Sequence, residues 1–350
     1  MVIYIYPIKT AFTERDIQML QPFIKVKPLV FTQNPFALPF FMVFQFFQLI
    51  WNLPKTTHYL CFFGGYHCLW PVIFAKIFNK KAFIQCGGMD AMHLPEINYG
   101  NYRKKWLKKA TVFGFKNCDL ILPVADALVK SEYTYDLQHP KNQGLLHLIP
   151  DLKTPIKVIH NGFDPQFWYD DGTQKTENSF ITVATGISKK NRMLVKGIDL
   201  ILEAAKSFPN FKFTLIGDDK FSSGLSNVTI IGKLTPSELR SAFQNAQFYL
   251  QISSSEGFPN ALAEAMLCGC IPIGSAVGAI PEIIGDAGLI LPSKSSHQLN
   301  ESISSLKTLN LSKLRKAASK RVKTNFSYDK RKEALVGLFK KENYKESHQY

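Results

Sequence analysis

Residues 253–275, SSSEGFPNALAEAMLCGCIPIGS, decide the reading of this chain. An apolar run, FYLQIS from 248, ends in serines; a Glu-Gly-Phe-Pro-Asn turn follows, and a second apolar run, CIPIGS, begins at 270. Between them a helix is expected to open near Pro259, because proline has no amide hydrogen to lose at a first helical position. Strand, helix and strand in that order make a βαβ unit of a parallel sheet. The amides of the first helical turn point outward and, with the helix dipole, favour an anionic or hydroxyl-rich ligand. Glu256 precedes this helix and Glu264 lies within it. Five residues of helix rise only about 7.5 Å, so the two carboxylates can address different parts of one elongated ligand. The spacing alone is also satisfied by a capping Glu256 and a solvated Glu264.

The same alternation extends in both directions. ITVATG at 181, FKFTLIG at 211 and VTIIG at 228 read as strands, as does GLILP at 288. Ile198, Ile201, Leu202, Ala205 and Phe208 form the apolar face of a helix whose other face carries Asp199, Glu203 and Lys206. In the first half, MVIYIYPIKT opens as a strand, with further strands expected at 27–32, 58–64, 81–86, 119–124 and 156–160. Helices are expected at 38–52, 69–79, 101–116 and 125–134. The fold class is α/β, two Rossmann-like β/α/β domains facing across a cleft: residues 1–163, a polar linker 164–178, residues 179–325 and a terminal stretch 326–350. Such sheets bind ligands beyond the carboxyl ends of their strands, so the loops there are where function is to be sought.

With 46% apolar and 20% charged residues, the 350-residue chain has an ordinary globular composition, which excludes disorder, collagen and a polytopic membrane protein. Lys and Arg number 42 against 27 Asp and Glu, a formal charge of +15. The cysteines, Cys61, Cys68, Cys86, Cys118, Cys268 and Cys270, form no C-x-x-C pair, and the opening residues do not read as a signal peptide, so a reduced, cytoplasmic setting is expected. The uncharged segment 28–54 contains FALPFFMVFQFFQLIW. Gln45, Gln48 and Asn52 line up as one polar stripe and Pro39 interrupts the run, so it reads as an amphipathic helix within a domain, and second as an interfacial membrane helix. Helix 101–116 sets Trp106, Leu107, Ala110 and Phe113 against Lys104, Lys105, Lys108, Lys109 and Lys116. That pattern suits either a solvated face or peripheral contact with an anionic membrane. A second basic run, 313–323, reads as domain surface.

EGFPNALAEAM resembles the E-x7-E motif of the family 4 retaining glycosyltransferases, which have the GT-B fold. The resemblance implies that Glu256 lies by a donor sugar, that Glu264 binds ribose hydroxyls, and that Gly257, Phe258, Pro259, Asn260 and Ala261 line the donor site. NRMLVKGIDLILEAA at 191–205 is similar to the family's Lys-Gly helix signature, implying that Lys196 and Arg192 hold the donor diphosphate. The insertion KKNRMLV departs from the family's shorter loop, which leaves Lys189 and Lys190 as alternative partners. VTIIGKL at 228–234 implies base contacts from Lys233 and Leu234, and VGAIPEIIGDAGLIL at 277–291 gives Glu282 a structural role. VIHNGFD at 158–164 matches the entry to the interdomain hinge, and FSYDKRKEALVGLFKK at 326–341 resembles the terminal helix that crosses back to the first domain.

YPIKTAFTERDI at 6–17 departs from the family in having no glycine; Gly64-Gly65 and Gly87-Gly88 follow later strands. CGGMDAMHLPEINYGNY at 86–102 looks like a loop of transferases of surface polysaccharide assembly, which implies that Asp90 faces the cleft from the acceptor side as a catalytic contact. Capping of its own loop is the other reading of Asp90. No Asp-x-Asp, H-E-x-x-H or P-loop occurs, and Asp170-Asp171 and Asp218-Asp219 read as solvated turns. No metal or other cofactor is therefore expected, and fixed cations must meet the charge of a leaving diphosphate. The implied function is transfer of a hexose-type sugar, with retention, from a nucleoside diphosphate sugar to a hydroxyl of a lipid-linked or oligosaccharide acceptor in capsule, lipopolysaccharide or exopolysaccharide synthesis. The setting would be the cytoplasm or the inner face of the cell membrane. A nucleotide-sugar 2-epimerase is the alternative on the same fold. A basic nucleic-acid binder is remote, because the aromatics read as core residues.

Overall fold

Two all-parallel sheets carry the chain, seen in a computed structural model that describes residues 1–340. The last part of the expected terminal stretch, 341–350, lies outside the described residues. The first sheet comprises β1 (Val2–Tyr6), β2 (Val26–Val30), β3 (His58–Phe62), β4 (Lys81–Cys86) and β5 (Leu120–Pro123), in the order β2-β1-β3-β4-β5. Its connections are α1 (Ala11–Leu20), α2 (Leu38–Asn52), α3 (Leu69–Ile77) and α4 (Lys105–Asn117). A small ribbon, β6 (Ser131–Glu132) with β7 (Asn142–Gln143), and the turn-length helix α5 (Leu145–Leu148) complete the first domain's chain.

The second sheet comprises β8 (Thr176–Val183), β9 (Lys212–Ile216), β10 (Val228–Ile231), β11 (Ala246–Gln251), β12 (Ile271–Ser275) and β13 (Leu289–Leu291), in the order β10-β9-β8-β11-β12-β13. Its helices are α6 (Lys190–Val195), α7 (Ile198–Ser207), α8 (Pro236–Asn245), α9 (Asn260–Leu267), α10 (Ile280–Ile284), α11 (Ser296–Ser305), α12 (Leu311–Asn325) and α13 (Tyr328–Gly337). Every residue of β1 and β12 is buried, as befits strands covered on both faces. Strand order reverses between β1 and β3 and between β8 and β11, which makes two topological switch points.

Several expectations are corrected. Residues 156–160 form no regular strand, although the segment runs parallel to β5: Ile156 bridges to Ile121, and the Lys157 and Ile159 amides donate to the Ile121 and Pro123 carbonyls. Residues 125–134 form a short 3-10 turn and then β6, because Tyr133 is drawn to the other domain, where its hydroxyl donates to the Ser254 carbonyl at 2.8 Å. The linker ends early: β8 starts at Thr176, after the buried Lys175 donates to the carbonyls of Phe243, Gln244 and Cys268. Asp170 is no solvated turn, since the Arg315 guanidinium binds both its oxygens and holds its carboxyl below the usual range in spite of burial.

Two helices turn the unexpected way. In α2, Gln45 and Asn52 face inward: Gln45 donates to the His67 carbonyl at 3.0 Å, and Lys27 donates to Asn52 Oδ1 at 2.8 Å. Leu49 is buried with them, but Phe40, Val43, Phe44, Phe47, Ile50 and Trp51 are left outside. In α4, Ala110, Thr111, Gly114 and Phe115 are buried, whereas Trp106 and Phe113, expected on the packed side, are exposed.

The domains are joined where two segments cross side by side, with Phe163 N donating to Phe326 O and Tyr328 N to Phe163 O. α13 then lies on α1 of the first domain, anchored by a buried ion pair. Arg331 Nε and Nη2 each donate to an Asp16 oxygen at 2.8 Å, and Nη1 donates to the carbonyls of Ile159 and His160. Removing one member of such a pair strands a buried charge. Arg331→Met is expected to lower unfolding free energy by about 3–5 kcal/mol, read by chemical denaturation; a loss below about 1 kcal/mol would show that α13 is held by other contacts.

Candidate functional site

The carboxyl ends of β8 and β11, at the second domain's switch point, hold the residues singled out by the sequence. Lys196 stands where α6 meets α7. Gly197 follows with a positive φ of 66°, and a Cβ there would fall 1.9 Å from the Ile252 carbonyl oxygen, so only glycine lets this turn lie on the end of β11. Ser254 N donates to the Val195 carbonyl at 2.8 Å and fixes the same approach. As a result Lys196 Nζ reaches Glu256 Oε1 at 2.5 Å, and Ser253 Oγ and Gln251 Nε2 donate to that oxygen at 2.9 and 3.1 Å. Two residues assigned to different parts of a donor are thus in direct contact with each other.

α9 begins at Asn260, with Pro259 outside it as the cap residue and no side chain capping its first turn. The sequence placed that start one residue early. Glu264, in the middle of α9, is buried, and burial pushes its carboxyl up. Arg15, from α1 of the opposite domain, works against that shift: its Nη2 lies 3.3 Å from Glu264 Oε1 while Nη1 donates to the Gly162 carbonyl at 2.9 Å. Arg15 is the residue that sequence reasoning missed. The only signal was a run of charges, Glu14-Arg15-Asp16, in the first helix after the first strand.

The other candidates are distributed around this centre. Lys189, Lys190 and Arg192 are exposed on and beside α6, and Lys233 is exposed on the loop after β10, with Leu234 partly buried against the core. Phe258 packs into the hinge, stacked on Phe163 at 6.0 Å and edge-on to Phe326 at 5.2 Å. Asn260 Oδ1 accepts from Asn161 Nδ2 at 2.7 Å, and Ala261 is half-buried beside it.

Asp90 does not face the cleft. Its carboxylate is buried, with Oδ2 accepting from the Gly64 amide at 2.8 Å and Oδ1 from the Gly87 and Gly88 amides at 3.0 Å. Burial raises its pKa, and those three amides offset the rise. Asp90 therefore ties the two glycine pairs together, the capping reading of the sequence. The loop it shapes presses on the second domain: a Cβ on Gly257 would sit 1.8 Å from the Gly87 carbonyl oxygen.

Asp126, His160 and Glu282 bring their ligand atoms within 4.8 Å of one another at the domain boundary. Burial disfavours the charged imidazole, but Glu282 at 2.8 Å and Asp126 at 3.7 Å outweigh it and the pKa of His160 is raised. A ring that favours its proton suits an ion pair better than a metal, which needs neutral imidazole.

Two Rossmann-like domains, joined by a double crossing and meeting at their strand ends, define the GT-B architecture. Residues 182–325 match the family model of the glycosyl transferases group 1. The uncharacterized glycosyltransferase MJ1178 of Methanocaldococcus jannaschii is 28% identical over 69% of this chain and 63% of its own. GDP-mannose:cellobiosyl-diphosphopolyprenol alpha-mannosyltransferase of Xanthomonas oryzae is 27% identical over 42% of each chain. The chain therefore spans less than two thirds of either relative. The Anabaena protein HepE, solved with UDP-glucose, superposes with a TM-score of 0.69 over 97% of this chain and 99% of its own, at 14% identity. Residues 182–325 are thus similar to a group 1 glycosyltransferase domain, and the chain as a whole has a GT-B fold.

Two outcomes follow from the domain boundary. Gly257→Ala is expected to push the glycine loops apart and enlarge the radius of gyration in small-angle scattering; an unchanged profile would show that the contact is dispensable. A raised His160 pKa gives stability that is complete below about pH 6.5, the ordinary histidine value, and is lost as pH rises through the raised value. The calorimetric Tm is expected to fall between pH 6 and 8, and to fall less in Glu282→Gln; equal slopes would remove the pair from the account.

Proposed function

We propose that this chain is a glycosyltransferase that moves a hexose-type sugar from a nucleoside diphosphate sugar to a hydroxyl of a lipid-linked or oligosaccharide acceptor, with retention and without a metal, in surface polysaccharide synthesis at the cytoplasmic side of a membrane. The observation that carries it is the meeting of Lys196 and Glu256 at the second switch point, with Glu264 further along an uncapped helix. A fixed ammonium beside open helix amides suits a diphosphate, and a buried carboxylate beyond it suits sugar hydroxyls. HepE was solved with UDP-glucose and the Xanthomonas enzyme is named for GDP-mannose, which supports a nucleoside diphosphate sugar and leaves the base to be measured. The latter name also supports a lipid diphosphate acceptor.

In this reading the bond between the anomeric carbon and the diphosphate oxygen breaks as the acceptor oxygen bonds to that carbon on the same face. The acceptor's proton passes to the departing diphosphate oxygen, so no protein nucleophile is needed. Lys196, with Arg192, Lys189 or Lys190 from α6, meets the charge that develops on the diphosphate. Glu256 holds Lys196 in place through Oε1, and a diphosphate competes for that ammonium. Glu264 takes the ribose, and Lys233 and Leu234 border the base. Asp90 acts at a distance, by shaping the loop that closes on Gly257.

Thermal shift with UDP, GDP, ADP, CMP, dTDP and their sugars, with and without chelator, tests the reading. One nucleoside diphosphate should stabilise the chain regardless of chelation, and less so in Glu264→Ala; indifference to all of them would overturn it. Lys196→Ala is expected to lower kcat by on the order of 10² to 10³, the scale for one preorganised charge-stabilising group. Conversion of free donor with no acceptor present would instead mark an epimerase.

A further inference from the structure

α2 is inverted relative to an ordinary domain helix. Gln45 and Asn52 of its polar stripe are bonded inside the protein, whereas Phe40, Val43, Phe44, Phe47, Ile50 and Trp51 are between 44% and 85% exposed. Their spacing of three and four places them on one ridge. Large apolar side chains gathered in one exposed patch mark an interaction surface.

The surroundings of the ridge identify its partner. The connections β2 to β3, β3 to β4 and β4 to β5 all step in the same direction across the sheet, so right-handed crossovers put α2, α3 and α4 on one face. The Phe46 ring meets Trp70 of α3 at 4.9 Å, and Lys76 of α3 bonds Asn117 of α4. α4 exposes Lys104, Lys105, Lys108 and Lys109 around an exposed Trp106, with the Lys109 ammonium 4.9 Å over the indole. Residues 17–89 and 97–118 contain no Asp or Glu, so no anion on these helices balances the cations. A second copy would bring its own cations against them, whereas an anionic lipid surface complements them.

We propose that this face docks on an anionic bilayer, with α2 lying in the interfacial plane, its apolar ridge among the acyl chains and the α4 lysines against the headgroups. Fifteen residues of helix reach about 22 Å against a hydrocarbon core of about 30 Å, and among the described residues no helix is long and apolar enough to cross a membrane. An in-plane helix with an apolar face and flanking cations is the arrangement that binds such interfaces. α2 and α4 both open at the carboxyl ends of their preceding strands, the side where Gly87 touches Gly257. If the acceptor is lipid-linked, as proposed above, it reaches the cleft from the surface to which the protein is bound; the docking itself stands on the surface alone.

Flotation of the full chain with vesicles of phosphatidylcholine alone, or of phosphatidylcholine and phosphatidylglycerol in equal parts, tests this. Binding to the anionic vesicles is expected, weakening as salt rises. Phe44→Ser with Trp51→Ser should reduce the partition coefficient by on the order of 100-fold, since each buried aromatic is worth about tenfold or more. Lys105→Ala with Lys109→Ala should reduce it on anionic vesicles alone, by about fivefold per cation. All four sites are exposed, and the melting curves are expected to match wild type; should the serine pair misfold, the lysine pair and the salt dependence decide. Wild-type chain that ignores both vesicles, or binding insensitive to both pairs, would overturn the proposal. So would a dimer in sedimentation that the serine pair dissociates while vesicle binding is absent. The nucleotide thermal shift, run on the same variants, scores the donor reading separately.

Discussion

The buried pair between Asp16 and Arg331 is the constraint on which the two-domain arrangement depends. Asp16 lies in α1, and its Oδ2 also accepts from Tyr4 of β1 at 3.2 Å and from Gln85 of β4 at 2.7 Å. Arg331 lies in α13, more than 300 residues later in the chain. Its remaining donor holds the carbonyls of Ile159 and His160 at the hinge, and its plane covers the Phe12 ring at 4.6 Å. Burying two charges is costly unless their donors and acceptors are met. Here the bidentate geometry meets them, so the strand, the first helix, the hinge and the terminal helix take one mutual register.

That register governs the site as well. Arg15 precedes Asp16 and, where Asp16 is turned to the terminal helix, Arg15 is turned to Glu264 of the other domain. It also lies over Phe163, 5.3 Å from the ring centroid, so the guanidinium is held between hinge and donor site. A shift of α1 along its axis would disturb both pairs together. The first domain therefore reaches Glu264 through an arginine whose position is set by the residue beside it.

What was legible in the sequence was local. The strand, helix and strand around Glu256 and Glu264 could be read because a proline near a helix start and the apolar period of a buried helix are written in adjacent residues, whereas the roles of Lys196 and the two glutamates came from the resemblance of their motifs. Arg15 was not legible: its partner is 249 positions away, and nothing near it distinguishes it from a surface charge. Asp90 was ambiguous for another reason, since a loop cap and a substrate contact both ask for a carboxylate after glycines. The amide of Gly64, which decides the matter, comes from a different strand. In α2 the period showed two faces but not which one turned inward. The His67 carbonyl and Lys27, both outside the helix, made its polar side the buried one.

Both motif glutamates are paired with a cation, Glu256 with Lys196 inside the second domain and Glu264 with Arg15 across the cleft. The two pairs differ in what they oppose. A diphosphate that draws Lys196 from Glu256 exchanges one ion pair for another within a domain and leaves the domain positions alone. In the proposed reading a ribose hydroxyl shares the Glu264 carboxylate with Arg15, which is fixed to the hinge through Gly162. Loss of that contact removes a bond between the domains, while a ligand spanning the same gap supplies others. In the proposed reading, occupancy of the Glu264 end and the relative position of the domains are therefore linked.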